Sequence, residues 1–304
     1  MPSPKIIFQA FEEVKPNLIV AVPLIIEKII KKSVLPKLET PTMKILLKVP
    51  IINDKIKATI REEMIKAFGG NFREIIVGGA AFNQEVEQFL KMIDFPYTVG
   101  YGMTECGPII CYEDWKRFKP GSCGKAAPRM DVRVLSSDPE NIVGEIVCKG
   151  PNVMLGYYKM PEETAEVLSS DGWFRTGDYG KINSKEQLII TGRKKNIIVL
   201  SNGKNVYPEE IENYIQNIPY VKEVVVYGLK NEYGEEYKLC AEVFLNAEKL
   251  EEMGVTDPAD MLKADISKAC ASLPVYKNIG KIVIRSKEFD KTTTNKIKRQ
   301  SITH

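Results

Sequence analysis

The stretch GWFRTGDYGKI at 172–182, followed by GRKKNIIVLSNGKNVYPEEIE at 192–212, decides the reading of this chain. It sets an acid, Asp178, and a basic cluster, Arg193 to Lys195, around a short strand-like segment with glycines on both sides. A carboxylate in a turn can accept both hydroxyls of a ribose. An arginine beside it can reach ribose or phosphate. Taken alone, Asp178 reads first as the acid of an Asx turn and Arg193 as a solvated surface residue. Taken together, they suit a ribose and a phosphate held near a joint between two domains.

On the N-terminal side of this stretch, residues 3–33 read as two helices around an extended VAVP segment. Ile52, Ile56, Ile60, Met64 and Phe68 form an amphipathic helix that GG at 69–70 stops. REIIVGGAAF is a buried strand and a glycine turn, NQEVEQFLKMI a helix capped by Asn83, and FPYTVGYGMTE a strand and a tight turn. That alternation predicts a mostly parallel, layered α/β sheet. From 119 to 190 short β-like runs alternate with turn signals such as KPGSCGK, SSDPEN and SSDGW, which predicts a small β-barrel or sandwich. After Arg193 the α/β texture returns: EEIENYIQNI and MLKADISKACASL as helices, VKEVVVYGL, YKLCAEVFL and KIVIRS as strands. The expected division is 1–118 as part of an α/β domain, 119–192 as a β-barrel-like subdomain, and 193–304 as a mobile α+β domain.

Composition narrows the chemistry. The 304 residues carry a net charge of +3, too small to argue for nucleic acid as the main partner. Hydrophobic residues at 44% and charged residues at 27% fit a globular chain with a sizeable core. Six cysteines show no CxxC pair; a zinc site on Cys106, Cys111 and Cys123 lacks metal-ligand spacing, and reduced thiols packed as small apolar groups fit better. The longest apolar run, LIVAVPLII at 18–26, is too short to span a bilayer. Cytoplasmic placement is expected, with peripheral contact at the inner face of the membrane left open. The single histidine, His304, ends the sequence, so a nucleophile–histidine relay is excluded in practice and lysine, arginine, carboxylates and backbone amides must do the work.

Three further motifs offer such groups. GGAA at 78–81 (Gly78, Gly79, Ala80) follows a buried strand, where small residues let a flat ligand approach the backbone; a plain strand-to-helix turn fits it at least as well. In GYGMTECGP at 100–108, Tyr101 offers an aromatic face to a purine, Thr104 a hydroxyl to phosphate and Glu105 a hard oxygen to magnesium, with Gly102 counted among the candidate cofactor-binding residues; a GxG turn with a helix cap reads equally well. Lys296, in TTTNKIKRQ, reads first as part of a solvated basic tail, though a lysine on a mobile element can carry a point charge to a phosphate. Phosphate-loop and GxGxxG patterns are absent: no Gly-Lys pair has a glycine five positions earlier, and position 105 is Glu.

Each motif is modest, but their order is specific. VPLIIEKI, GGAAF, GYGMTECGP, GWFRTGDYG, GRKKNIIVLSNGKNVYPEEIE and TTTNKIKR together resemble the long-chain fatty acyl-CoA synthetase branch of the acyl-activating, adenylate-forming enzymes, from about residue 5 to residue 300. The resemblance implies a two-step reaction in which a fatty acid carboxylate attacks the α-phosphate of ATP, and the thiol of coenzyme A then displaces AMP. It implies that Gly79 and Ala80 line the adenine and acyl side of the pocket, that Tyr101 stacks on adenine, that Thr104 touches phosphate and that Glu105 binds Mg²⁺. It further implies that Asp178 holds the ribose diol with Arg193 beside it, that Lys195 is the hinge, that Lys296 bridges carboxylate and α-phosphate, and that Gly203 borders the pantetheine tunnel.

Two departures stand out. Asn295 replaces the glycine usual before the lysine, and asparagine tolerates the same left-handed turn. The Ser/Thr/Gly-rich phosphate loop, of the kind TSGTTGxPKG, is absent. The resemblance therefore implies the C-terminal portion of a longer enzyme, inactive in adenylation by itself, with the N-terminal part of its own chain as a partner and apolar surface exposed without it. The alternatives are an acyl-AMP ligase serving a carrier protein and a non-catalytic nucleotide- or acyl-adenylate-binding module.

Overall fold

Short apolar runs set between amphipathic helices bury both faces only when strands lie side by side under helices. The computed structural model, which describes residues 4–34, 40, 50–292, 296–299 and 302, shows that arrangement. Three strands, β1 (Leu18–Ala21), β2 (Glu74–Val77) and β3 (Tyr97–Val99), form a parallel sheet in that order, with Ile19 opposite Ile75 and Ile75 opposite Tyr97. Helices α1 (Pro4–Val14), α2 (Pro23–Ser33), α3 (Pro50–Ala67) and α4 (Gln84–Met92) alternate with them.

The periodic residues of α3 reach the core as expected: Met64 and Phe68 are buried, while Ile52's side chain lies outside the described residues. Phe68 packs against Phe8, Phe11, Phe72 and Phe95 with ring centroids 5.5–6.1 Å apart. Gly69 stops the helix at φ +94, where a Cβ would stand 2.5 Å from the Phe11 carbonyl oxygen. Asn83 caps α4 by accepting the Val86 N–H at 3.1 Å.

Beyond the parallel sheet the chain turns antiparallel. Strands β4 (Tyr101–Gly102), β5 (Ile109–Tyr112) and β6 (Lys125–Ala126) form one small sheet. Strands β7 (Asp131–Leu135), β8 (Gly144–Lys149), β9 (Phe174–Ile182) and β10 (Leu188–Arg193) form another, in the order β10-β9-β8-β7, with α5 (Pro161–Val167) between β8 and β9 in sequence. The barrel expected for 119–192 is therefore corrected to an open sheet. Short strands between turns carry the same pattern in either case, and closure depends on whether two edge strands meet, which no single strand encodes. The inner side chains of this sheet, among them Val134, Ile146, Cys148, Phe174 and Leu188, join the same apolar core as the parallel sheet.

Contacts divide the chain into two units: 1–176 with 180–190, and 177–179 with 191–304. The second unit starts with a two-stranded ribbon, β11 (Ile198–Val199) and β12 (Asn205–Val206), then α6 (Pro208–Ile215). Strands β13 (Val221–Lys230), β14 (Glu236–Leu245) and β15 (Ile279–Arg285) form a sheet in that order, antiparallel then parallel, and α7 (Ala247–Glu252) and α8 (Ala259–Ala269) connect the last two. Ile211, Ile215, Tyr220, Val226, Leu239, Val243, Leu262 and Ile266 make up its core. All six cysteines are buried free thiols. Among the described residues, no helix is long and apolar enough to cross a membrane.

One buried carboxylate ties stability to pH. Glu87 on α4 is 4% exposed and accepts the Gly121 N–H at 2.8 Å. Burial raises its pKa from 4.5 to about 7, against the smaller opposing pull of that N–H. A raised acid contributes stability in full below the unfolded value, and that contribution is lost as pH rises through about 7. Glu87→Gln keeps an acceptor for Gly121 and removes the charge. At pH 8 the variant is expected to be more stable than the parent by on the order of 2–3 kcal/mol, the gap closing toward pH 4.5. Denaturant unfolding at both pH values checks this; a gap that does not change with pH would contradict it.

Candidate functional site

The site residues named from the sequence fall into two sets, one in each unit. In the first unit, Gly78, Gly79 and Ala80 follow β2 directly and Tyr101 follows β3 by two residues. These are the carboxyl ends of neighbouring parallel strands, where open α/β sheets bind ligands. The Gly78 N–H donates to the Ala21 carbonyl at 3.0 Å and the Gly100 N–H to the Val77 carbonyl at 2.9 Å, so both turns are extensions of the sheet. A Cβ on Gly78 would stand 3.3 Å from the Gly100 carbonyl oxygen, so the two turns lie close together. Gly79 and Ala80 are exposed. Tyr101 is 7% exposed, and its side chain belongs to the core cluster.

Gly102 is required by the turn it opens. A Cβ there would overlap the carbonyl of Pro108, whose oxygen accepts the Met103 N–H at 2.8 Å. Thr104–Cys106 form one 3-10 turn that leaves Thr104 exposed and Glu105 half-buried. A later loop braces this turn. The Tyr157 hydroxyl donates to Glu105 Oε1 at 3.1 Å, the Met154 N–H to the Glu105 carbonyl at 2.7 Å, and Asn152 Nδ2 to the carbonyls of Cys106 at 2.6 Å and Ile109 at 2.9 Å. Burial, and then the Glu105 carboxylate, raise the pKa of the Tyr157 hydroxyl, so it stays a donor. Among the described residues no cluster of three ligating side chains exists. Glu105 fits the other mode of Mg²⁺ binding, a single carboxylate completed by water and substrate phosphates, with Tyr157 orienting one of its oxygens.

In the second unit, β9 and β10 bring Asp178 and Arg193 together. Arg193 Nε stands 3.0 Å from Asp178 Oδ1; the acid side chain is 5% exposed and the arginine 51%. Burying a carboxylate is costly unless charge and hydrogen bonds meet it, and the guanidinium supplies both. Lys194–Asn196 form a 3-10 turn at the end of β10, with Lys194 and Lys195 exposed. Asn196 Nδ2 donates to Glu209 Oε1 at 2.5 Å, which ties that turn to α6. Gly203, at φ +75, is exposed in the turn between β11 and β12. Lys296 is exposed near the end of the described chain, and Asn295 and His304 lie outside the described residues.

The sequence reading missed the braces: Tyr157 and Asn152 under the Thr104–Glu105 turn, Glu209 paired with Asn196 next to Lys195, and Arg299, three residues beyond Lys296, which pairs with the Glu212 carboxylate. Only the acids of YPEEIE, the last of which is Glu212, set against a lone arginine in KIKRQ, could have signalled the last pair.

Comparisons with known proteins bear on the family of the chain. The family model described as AMP-binding enzyme matches residues 1–158, and that described as AMP-binding enzyme C-terminal domain matches 195–304. A long-chain-fatty-acid–CoA ligase of Bacillus subtilis is 34% identical over 239 residues, 76% of this chain and 40% of the relative. Long-chain-fatty-acid–CoA ligase 4 of Saccharomyces cerevisiae is 35% identical over 181 residues, 58% of this chain and 26% of the relative. An indoleacetate–CoA ligase of Aromatoleum aromaticum is 38% identical over 173 residues, 54% of this chain and 33% of the relative. The solved o-succinylbenzoate–CoA synthetase of Bacillus subtilis, in complex with its acyl-adenylate intermediate, shares the fold at a TM-score of 0.76 and 21% identity, over 99% of this chain and 53% of that one. The chain thus spans well under half the length of these curated relatives and about half that of the solved enzyme. With both family models matched in order along its length, the chain belongs to the AMP-binding enzyme family.

Proposed function

We propose that this chain is the C-terminal portion of an AMP-forming long-chain fatty acid–CoA ligase. The observation that carries the reading is the buried Asp178 carboxylate held at 3.0 Å by Arg193, in a chain whose relatives include long-chain fatty acid–CoA ligases. In this reading Asp178 accepts the two ribose hydroxyls of ATP, and Arg193 holds the acid in place while facing ribose or phosphate. The glycine turn at 78–80 and the rim of Tyr101 border the adenine, Thr104 donates to phosphate, and Glu105 holds Mg²⁺. Adenylation crowds a carboxylate against a triphosphate. A cation held by Glu105 would supply positive charge to the phosphates, and the ammonium of Lys296 offsets the charge that builds on the α-phosphate, with no proton relay needed. Lys195 is the hinge about which the last domain turns, which withdraws Lys296 and brings Gly203 toward the pantetheine of coenzyme A before the thiol displaces AMP.

An assay of the intact ligase with a sixteen-carbon fatty acid, ATP, Mg²⁺ and coenzyme A tests the reading. Acyl-CoA, AMP and pyrophosphate are expected in equal amounts. Acyl-adenylate that accumulates with coenzyme A and is consumed only by a carrier protein would overturn the acceptor. The 38% identity to an indoleacetate–CoA ligase favours, as a second reading, an aryl-acetic acid as the acyl group. A faster turnover of indoleacetate than of the fatty acid would establish it.

The 304-residue chain by itself is expected to form acyl-CoA at least about 1000-fold more slowly than the intact ligase, because its sequence holds no loop to grip the β- and γ-phosphates. Turnover by the purified chain at the rate of the intact enzyme would refute this.

A further inference from the structure

Lys296 sits on a turn that is closed on itself. The Thr292 N–H donates to the Lys296 carbonyl at 2.8 Å, and the Lys296 N–H donates to Thr292 Oγ1 at 3.1 Å. Lys291 and Ile297 pair as an antiparallel bridge, and the Lys298 N–H donates to the Asp290 carbonyl at 2.7 Å. Both feet of this turn are pinned to the body of the second unit. On the incoming side, Lys291 pairs with Glu223 of β13 and with Glu288, and the N–H of the buried Phe289 donates to Glu223 Oε2 at 2.9 Å.

On the outgoing side the pin is Arg299. Its Nη1 donates to the Val226 carbonyl of β13 at 3.1 Å, and its Nη2 pairs with the carboxylate of Glu212 on α6. Glu212 is 14% exposed at its side chain, and its other oxygen accepts the Val226 N–H at 2.6 Å. The guanidinium fork thus grips a helix carboxylate and a strand carbonyl at once, and the same carboxylate grips the same strand residue. Three groups from three elements form one closed set of hydrogen bonds, three residues along the chain from the exposed Lys296. A lysine in place of Arg299 could not make the two directed bonds together.

We infer that Arg299, seated on Glu212 and the Val226 carbonyl, is a positioning residue for Lys296 in adenylation. The inference rests on the proposed role of Lys296 and adds a requirement to it. A lysine on a free tail would spend most of its time away from the phosphate, and an error of about 1 Å in placing a catalytic group can cost on the order of 100-fold. Pinning both feet of the turn lets the ammonium arrive with the domain that carries it. Arg299 touches no substrate; it acts through the turn.

The test uses the intact ligase with three variants: Arg299→Lys, the paired Arg299→Met with Glu212→Leu, and Lys296→Ala. The paired change removes both charges together, which avoids an orphaned carboxylate; a melting curve of each variant checks that the domain still folds. For Arg299→Lys and the paired variant, adenylation is expected to fall roughly 10- to 100-fold in kcat. KM for ATP and thioester formation from supplied acyl-adenylate should stay within about threefold. Amide hydrogen exchange at Thr292 and Lys296 should speed up by about tenfold or more while the amides of β14 keep their protection. Equal losses in both half-reactions, or unchanged exchange at Thr292 and Lys296, would overturn the inference. If Lys296→Ala itself leaves adenylation intact, the role of Lys296 fails, and with it the catalytic part of the inference; the exchange measurement then reports on the pinning alone.

Discussion

Replacing Lys296 with alanine in the intact ligase is expected to slow acyl-adenylate formation by roughly 100- to 1000-fold. Thioester formation from supplied acyl-adenylate should stay within about threefold of the parent. The argument is electrostatic. A unit charge about 4 Å from an opposite one, at an effective dielectric near 20, is worth about 4 kcal/mol. Only the part that grows as the carboxylate closes on the α-phosphate lowers the barrier, which keeps the expected loss to three decades or fewer. The side chain is exposed on a turn held by its own backbone bonds, so alanine removes the charge without disturbing a core. Measuring the two half-reactions separately decides the matter: the same loss in both would remove Lys296 from the adenylation step.

Asp178→Ala is expected to weaken binding of AMP to the intact ligase by on the order of 100-fold, with a similar rise in KM for ATP. In the proposed role of Asp178, the alanine leaves the two ribose hydroxyls without their shared acceptor. It also frees Arg193, whose 51% exposure lets it rehydrate rather than stand as a buried unpaired charge. The loss should therefore fall on nucleotide affinity much more than on folding. Asp178→Asn, which keeps one acceptor and loses the charge, should fall between. Calorimetric titration with AMP alongside a melting curve separates the two effects; a large drop in melting temperature with AMP affinity unchanged would show Asp178 to be a structural acid only.

Elements with a strong local period were legible. Ile56, Ile60, Met64 and Phe68 announced α3; the run at 74–77 announced a strand because β-branched residues dominate it, and those at 221–230 and 236–245 because β-branched, aromatic and other apolar side chains recur through them. Helix α5 was not legible, since PEETAEV buries none of its side chains and so carries no apolar stripe. Barrel closure was not legible either, because it is a relation between edges. At the site, the order of motifs drew Asp178, Arg193 and Glu105 out of the background, while their supports stayed hidden. Tyr157 reaches Glu105 across 52 positions and Arg299 reaches Glu212 across 87, and nothing in the residues between marks either pair. Long-range polar pairing leaves no periodic trace.

The three residues Gly177–Tyr179 belong to the second unit although the segments on either side of them, up to Thr176 and from Gly180 to Ile190, belong to the first. For anyone recombining this chain with its relatives, the tempting crossover point is Thr191, where the long contiguous run of the second unit begins. A graft made there inherits Arg193 from one parent and Asp178 from the other. The two sides of the 3.0 Å ion pair would then come from backbones with different histories. A junction placed before Phe174, at the start of the strand that carries Asp178, moves acid and base as one heritable block.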